Sequence, residues 1–457
     1  MRPLTPRHRE TSEDVSNLAR LALLLILLAL LLRLLAVLAE DHAYGYVSDG
    51  SDGAWYLAHG YALVTGFDEG KLSEFGDPYD SDGVKISLRR LTTPPLYLLF
   101  NGLPQALFPR EAAVLLIRVL QALAGTLSVW LVWRLGRAVT ENERAAFIAA
   151  LAIAISPAFI LEATRVTTES LYILLLLAGL AHHAERRERF AVTGLLLGLA
   201  TLTRAVLLLF PLGLALHLLL VDGRRPGLRR ALLLLAVYSL VVGSWTVYSL
   251  ARWDRFVIAG EGVAAFFYIG ALEQGWQGSH ETDKQLIEDT GALPEEPLAR
   301  QATYVQGAQQ RIAADPAGYL LRRLSELADA LLQPHGTDYL DGPPLRLMAR
   351  DWLREGRSPF ELLRWVTAEG FWPRLLIYAI HFVGLLAGLA GLWLTRKRWR
   401  QTLPLAAFIA YTLSLHLALH AIPRYIFPIL PLCWVFGSVA LLQAGEKLKA
   451  RQRKAKT

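Results

Sequence analysis

The sequence predicts an all-α fold, a polytopic bundle of about ten transmembrane helices, and three observations carry that reading. Of its 457 residues 54% are hydrophobic, and the mean hydropathy is +0.34, the composition of a chain whose main solvent is lipid. Apolar stretches recur along the whole chain, several reaching the roughly 20 residues that a helix needs to cross a bilayer core. Lysine and arginine fall in short clusters between those stretches, so the net charge of +7 reads as membrane topology and implies no nucleic-acid partner. The lone cysteine, Cys433, excludes an intramolecular disulfide, so the polar segments must fold by packing alone.

The apolar stretches lie near residues 18–38, 112–133, 145–161, 169–184, 191–203, 205–221, 231–251, 375–394, 403–420 and 424–442. The first ends at Val37-Leu38-Ala39, a cleavage-like site, yet exceeds the roughly 7–15 residues of a secretory signal core, and is read as a retained anchor. The basic N-terminus, RLGRAVTENER, HHAERRER, DGRRPGLRR, TRKRWR and the tail EKLKARQRKAKT all belong on the cytoplasmic side. Residues 40–111, the turn Glu162 to Thr168, residues 252–374 and His420 to Arg424 then lie outside. The expected organisation is a cytoplasmic tail (1–17), a transmembrane core (18–251) that includes the loop 40–111, an extracytoplasmic segment (252–374), C-terminal transmembrane helices (375–443) and a basic cytoplasmic tail (444–457). Such a chain sits in the inner (plasma) membrane with both termini cytoplasmic.

Residues 191–221 test this scheme, because a single crossing there would put HHAERRER and DGRRPGLRR on opposite faces. Two short helices meeting at Arg204 resolve the conflict. Arg204 is then either a snorkelling arginine at a helix end or a sub-surface charge in need of an anion, since an unpaired arginine in the bilayer costs at least ~2.5–3.5 kcal/mol.

Acidic residues crowd the first half of the loop 40–111. In SDGAWYLAHGYALVTG the residues Trp55, Leu57, Ala58, Tyr61, Ala62 and Leu63 recur at near-helical spacing, as an interfacial helix requires. Asp52 stands at that helix's start, where a carboxylate serves as a cap or as a reactive group. DPYDSDG resembles a calcium loop, but Gly83 at the sixth position would place Pro78 first and Arg89 twelfth, which excludes an EF-hand and leaves an irregular metal site open. In the segment 252–374, Leu320, Leu321, Leu324, Leu327, Leu331 and Leu332 form an apolar stripe expected to hold a small helical cap over the core.

Six pieces, in order, resemble motifs of the GT-C glycosyltransferases, in the branch related to bacterial protein O-mannosyltransferase and aminoarabinose transferase. They are SDGAWYLAHGYALVTG, LTTPPLYLLFNGLPQALFP, ATRVTTESLYILLLLAG, GLATLTRAVLLLFPL, SWTVYSLARWDRFVIAGEG and HAIPRYIFPILPLCWV. The resemblance implies a sugar donor on a polyprenyl phosphate and a lipid, glycan or protein acceptor outside the cytoplasm. By position it makes Asp52 the general base, with inversion at the anomeric carbon, and Asp49 the second candidate. It gives Glu169 a role in positioning hydroxyls, although Glu169 equally suits the first turn of its own helix. Arg204 and Arg424 would hold the leaving phosphate through their planar forks of donors. Tyr56, Tyr425 and His420 fall in the same motifs as further substrate contacts, His420 being equally readable as an interfacial histidine. No cofactor is required by this chemistry, and a divalent metal is left open. The chain departs from the pattern at Thr92-Thr93-Pro94-Pro95, where lipid A-modifying relatives carry a lysine, so that Arg89 or Arg90 would have to substitute, and at Ser244 and Tyr248-Ser249. Lipid A is therefore unsupported as acceptor. The rival readings are a transporter or flippase of a lipid-linked or anionic solute, and an inactive scaffold. The lack of an internal repeat and the placement of both polar segments on one side argue against transport.

Overall fold

The computed structural model describes residues 12–39, 52–66, 91, 93–185, 189–275, 277–340, 345–354, 359–368 and 370–454. Among them all regular structure is helical, and each apolar stretch read from the sequence falls on a helix. The core consists of α1 (Ser12–Ala39), α2 (Asp52–Thr65), α3 (Pro95–Leu107), α4 (Arg110–Thr140), α5 (Glu143–Ile155), α6 (Pro157–Leu161), α7 (Glu169–Ala184), α8 (Phe190–Thr203), α9 (Phe210–Asp222) and α10 (Arg224–Trp253). A polar segment follows with α11 (Val263–Ala271), α12 (Ser279–Thr290), α13 (Pro297–Ala314), α14 (Pro316–Leu332), α15 (Leu345–Arg354) and α16 (Pro359–Val366). The chain ends in α17 (Phe371–Thr395), α18 (Trp399–Ala418), α19 (Pro423–Ile426) and α20 (Leu430–Lys454). Among the described residues 6 segments are long and apolar enough to cross a membrane, with α7 and α8 as shorter apolar helices, so the chain is a multi-pass membrane protein.

The break at Arg204 follows the expected course. Arg204 is extended (φ −144°, ψ 116°) and a 3-10 turn, Ala205–Leu207, separates α8 from α9. Phe190, at the start of α8, lies under Arg230 near the start of α10, at 5.6 Å, and Leu218, near the end of α9, backs onto Gly227 in the same stretch. At the other extreme the Tyr238 hydroxyl, about halfway along α10, donates to the Leu208 carbonyl at 2.9 Å and lies 3.2 Å from the Thr201 hydroxyl. The two short helices thus run up and down beside one long one, and Arg204 sits at their tip, well inside α10's length.

A second buried arginine was not legible in the sequence. Arg33 of α1 is fully buried and donates to the carbonyls of Ile153 at 3.3 Å and Ala154 at 3.4 Å, besides Ala29 of its own helix at 3.0 Å. Pro157 lacks the N–H that the Ile153 carbonyl would receive in a continuous helix, so the guanidinium completes a proline-broken helix end. Arg33→Leu should therefore lower stability by about 1–3 kcal/mol despite its apolar gain. Thermal unfolding of wild type and variant in identical nanodiscs measures this, and an unchanged midpoint would refute the capping role.

Close helix packing depends on glycine at one seam in particular. A Cβ at Gly388 of α17 would stand 2.9 Å from the Cys433 carbonyl of α20, so only glycine lets the two backbones approach this closely.

The polar segment differs from expectation in one respect. Leu327 and Leu331 of α14 pack on the core, but Leu320, Leu321, Leu324 and Leu332 point outward. Two of the helix's charged residues turn inward: the Arg323 guanidinium donates to the Leu419 carbonyl, and Glu326 accepts from the Ala421 N–H at 2.6 Å. Its leucine stripe is divided between two faces, and polar contacts join it to the loop before Arg424.

Candidate functional site

The site assembles at the end of the bundle opposite the clustered basic loops. Asp52 is the first residue of α2, which lies outside the spans, and its carboxylate is 63% exposed. Glu169 opens α7 and is 0% exposed, with Thr168 before it making no side-chain cap. Arg424 lies in the first turn of the four-residue α19, just after the loop that α14 grips.

These residues form one ionic network. Arg424 forks onto Glu169, with Nε 2.5 Å from Oε1 and Nη2 2.9 Å from Oε2, while its Nη1 donates to Asp52. Arg204 donates to the same Glu169 oxygen and lies between the rings of Tyr172, at 5.7 Å, and Tyr425, at 5.3 Å. Two guanidinium groups and two carboxylates balance, with Glu169 at the centre. The buried pair is satisfied by geometry and by several hydrogen bonds, the condition under which buried charges persist. Glu169 supplies the anion that a sub-surface Arg204 needs, so the arginine is not left to depend on a lipid phosphate for it. Tyr56 stands one turn beyond Asp52 against Tyr97, with ring centroids 5.1 Å apart. Burial pushes its phenol up to about 12 against the pull of Arg424, which keeps its proton in place at neutral pH.

Two cavities open on either side of this network. A cleft of about 410 Å³ is lined by Asp52, Arg424, Arg165, Thr167, His335 and Tyr339, among others. On the far side, Arg204, Tyr172 and Tyr425 pack around a gap of only about 10 Å³ walled by Val206, Phe408, Tyr411 and Leu415. One side is open, and the other is closely packed. Charge sits where they meet.

Of the sequence candidates, Asp52, Tyr56, Glu169, Arg204, Arg424 and Tyr425 come together. His420 does not join the carboxylates: its Nδ1 faces Glu326 of α14 at 2.5 Å, because the loop folds back on that helix. Asp49, Arg89 and Arg90 lie outside the described residues. Beside the lysine position that this chain lacks, Arg255 reaches the Leu91 carbonyl at 3.5 Å, but it is paired with Glu261.

Sequence reasoning missed the wall of the cleft. Glu162, 2% exposed, accepts from His335 Nε2 at 2.8 Å and from the Tyr339 hydroxyl at 3.1 Å, and Arg165 stacks on the Tyr339 ring at 4.3 Å. The partners are 173 and 177 residues apart, so no local spacing announces them. The signal that was present is an acid in a short turn between apolar stretches. Among the described residues no three His, Cys, Asp or Glu side chains gather as metal ligands, and Arg424 takes the place between Asp52 and Glu169.

Residues 92–248 match the family described as dolichyl-phosphate-mannose-protein mannosyltransferase. No curated protein matches the chain. Among solved structures it is similar to the oligosaccharyltransferase of Archaeoglobus fulgidus in its apo form, with 15% identity and a TM-score of 0.52 over 95% of this chain and 52% of that one. The same organism's AglB, solved with an inhibitory peptide and a dolichol-phosphate, gives 18% identity and a TM-score of 0.50 over 94% and 51%. ArnT from Cupriavidus metallidurans, bound to undecaprenyl phosphate, aligns with 16% identity and a TM-score of 0.39 over 93% and 79%. The chain spans about half the length of the oligosaccharyltransferases it matches. Its fold is that of the GT-C membrane glycosyltransferases.

Proposed function

We propose that this chain is a membrane glycosyltransferase that moves a sugar from a polyprenyl-phosphate donor to a hydroxyl group of an acceptor. The observation that carries the reading is the linked cluster of Arg204, Glu169, Arg424 and Asp52, which opens on a cleft of about 410 Å³. The two arginines suit the donor's phosphate, and the open cleft admits the acceptor to Asp52. The family match and the fold support the same donor class.

In this reaction the acceptor oxygen attacks the anomeric carbon while the bond from that carbon to the phosphate oxygen breaks. Asp52 takes the acceptor proton, and the leaving phosphate takes the electron pair. In-line attack inverts the anomeric centre. Negative charge therefore disappears at Asp52 and appears on the phosphate in the same step. Arg424, which holds Asp52 before reaction, is placed to follow that charge, a stabilisation stronger in the transition state than in the ground state. Glu169 keeps both arginines in position, and the Glu162–His335–Tyr339 cluster shapes the acceptor side. The protein then sits in the inner membrane with both termini cytoplasmic and the site on the extracytoplasmic face, as the charge clusters suggest. The step as written requires no cofactor, a divalent metal stays open as an addition to it, and the acceptor is a lipid, glycan or protein.

The test is release of polyprenyl phosphate from a panel of polyprenyl-phosphate sugars by purified protein in nanodiscs. Turnover on one donor supports the reading. Donor binding without turnover, with lipid flipping in proteoliposomes, would replace it with the transport reading.

A further inference from the structure

We infer that α14 is seated in the acyl chains of the leaflet on the site side, its outward face meeting lipid and not water. The helix is amphipathic in the wrong sense for an aqueous domain. Ala317, Leu320, Leu321, Leu324, Ala328 and Leu332 form an exposed apolar strip, with Leu321 67% and Leu320 54% exposed; Ser325 and Asp329, the latter paired with Arg346 at 3.1 Å, are exposed on its flank, whereas Arg323 is buried on the inner side. A helix in water turns its charges outward and its leucines inward. Here four leucines face outward and Arg323 and Glu326 inward, with the one well-exposed charge, Asp329, at the strip's edge.

Depth is fixed by a hydrogen bond to a span. The Leu331 carbonyl, near the C-terminal end of α14, accepts from His381 Nε2 at 2.7 Å. His381 lies ten residues into α17, about 15 Å along that helix at 1.5 Å per residue. The C-terminal part of α14 is therefore level with the body of a spanning helix and below its end. The lipid-facing surface of α17 continues the same apolar character at Trp372, Leu375 and Leu376, all exposed. The exposed apolar strip of α14, flanked by Ser325 and Asp329, is leucine and alanine without the aromatic and arginine anchors that dominate protein interfaces, which favours lipid over a second protein as its occupant.

The seat matters for the site although it does not depend on the reaction proposed above. The polar side of α14 holds the loop before Arg424 through Tyr319 to the Ala418 carbonyl at 3.1 Å, through Arg323 to Leu419 and through Glu326 to Ala421. Gln333, Pro334 and His335, directly after the helix, line the cleft. The bilayer thus bears on one face of a helix whose other face positions the site.

Nitroxide labels at Leu321→Cys and Leu324→Cys, in the full-length protein in nanodiscs, test this. The native Cys433 is buried and can be replaced by alanine as a check on background labelling. Both labels should collide more with oxygen than with a water-soluble nickel chelate, and Gln309→Cys on α13 should show the reverse order. Preferred collision with the nickel chelate at 321 and 324 would overturn the proposal. So would protection from both reagents, which would mean that protein covers the face. Because the labelled side chains already point outward, loss of fold is not expected, and equal elution of labelled and unlabelled protein on size exclusion verifies it.

Discussion

Asp52→Asn should reduce release of polyprenyl phosphate by about 100-fold or more, the range for losing a general base, while the variant binds undecaprenyl phosphate at least as tightly as wild type. The second half of that expectation comes from the ionic network. In the resting site Arg424 is divided between Glu169 and Asp52. Removing the Asp52 charge releases one arm of the guanidinium for phosphate. If Arg424 is the route, the gain in affinity should vanish when Asp52→Asn is made in an Arg424→Gln background, a double-mutant cycle with a non-zero interaction term. Binding of undecaprenyl phosphate to immobilised nanodiscs gives both numbers. A variant that loses binding together with turnover would make Asp52 a support for Arg424 and remove it as the base.

Glu169→Gln should be the most damaging single change for stability. Glu169 is wholly buried and takes both guanidinium groups, so the amide leaves Arg204 without its carboxylate and Arg424 with only the exposed Asp52. Breaking a buried pair by removing one partner costs about 3–5 kcal/mol, because the remaining charge stays desolvated. The thermal midpoint should fall accordingly. Added undecaprenyl phosphate should restore more of it in the variant than it adds to wild type, since its phosphate replaces the missing anion. A midpoint within experimental scatter of wild type would show that water or lipid solvates the arginines and that Glu169 is not the centre of the network.

Much of the bundle was legible in the sequence because a bilayer imposes length, apolarity and charge asymmetry on every crossing segment. The short pair α8 and α9 was readable for the same reason: the basic clusters flanking residues 191–221 cannot sit on opposite faces at low cost, so the chain must turn at Arg204. Asp52, Glu169 and Arg424 were readable as motif positions, but their mutual pairing was not, since it joins positions 52, 169 and 424 through folding alone. The direction His420 takes was not readable for a related reason. Its sequence neighbourhood resembles that of Arg424, yet the backbone turn between them directs one to α14 and the other to Glu169. Arg33 looked like one more residue in an anchor helix, and its role depends on a proline 124 positions later. The outward leucines of α14 have a helical period that any amphipathic helix shares. Periodicity tells that a helix has an apolar face and is silent on which solvent that face meets.

The balance of two arginines against two carboxylates also determines how a ligand finds this site. A cleft with unpaired positive charge would draw anions from solution, raising encounter rates with nucleotides, free phosphate and substrate alike. A compensated cluster exerts little field at a distance, so it does not recruit from the bulk. On the proposed reading the lipid-linked donor arrives by lateral diffusion within the leaflet, held at the correct depth by its hydrocarbon tail, and only at contact range would the guanidinium groups exchange a carboxylate for a phosphate. Discrimination against soluble sugar phosphates is then achieved by the dimensionality of the search before any contact with the sugar is made.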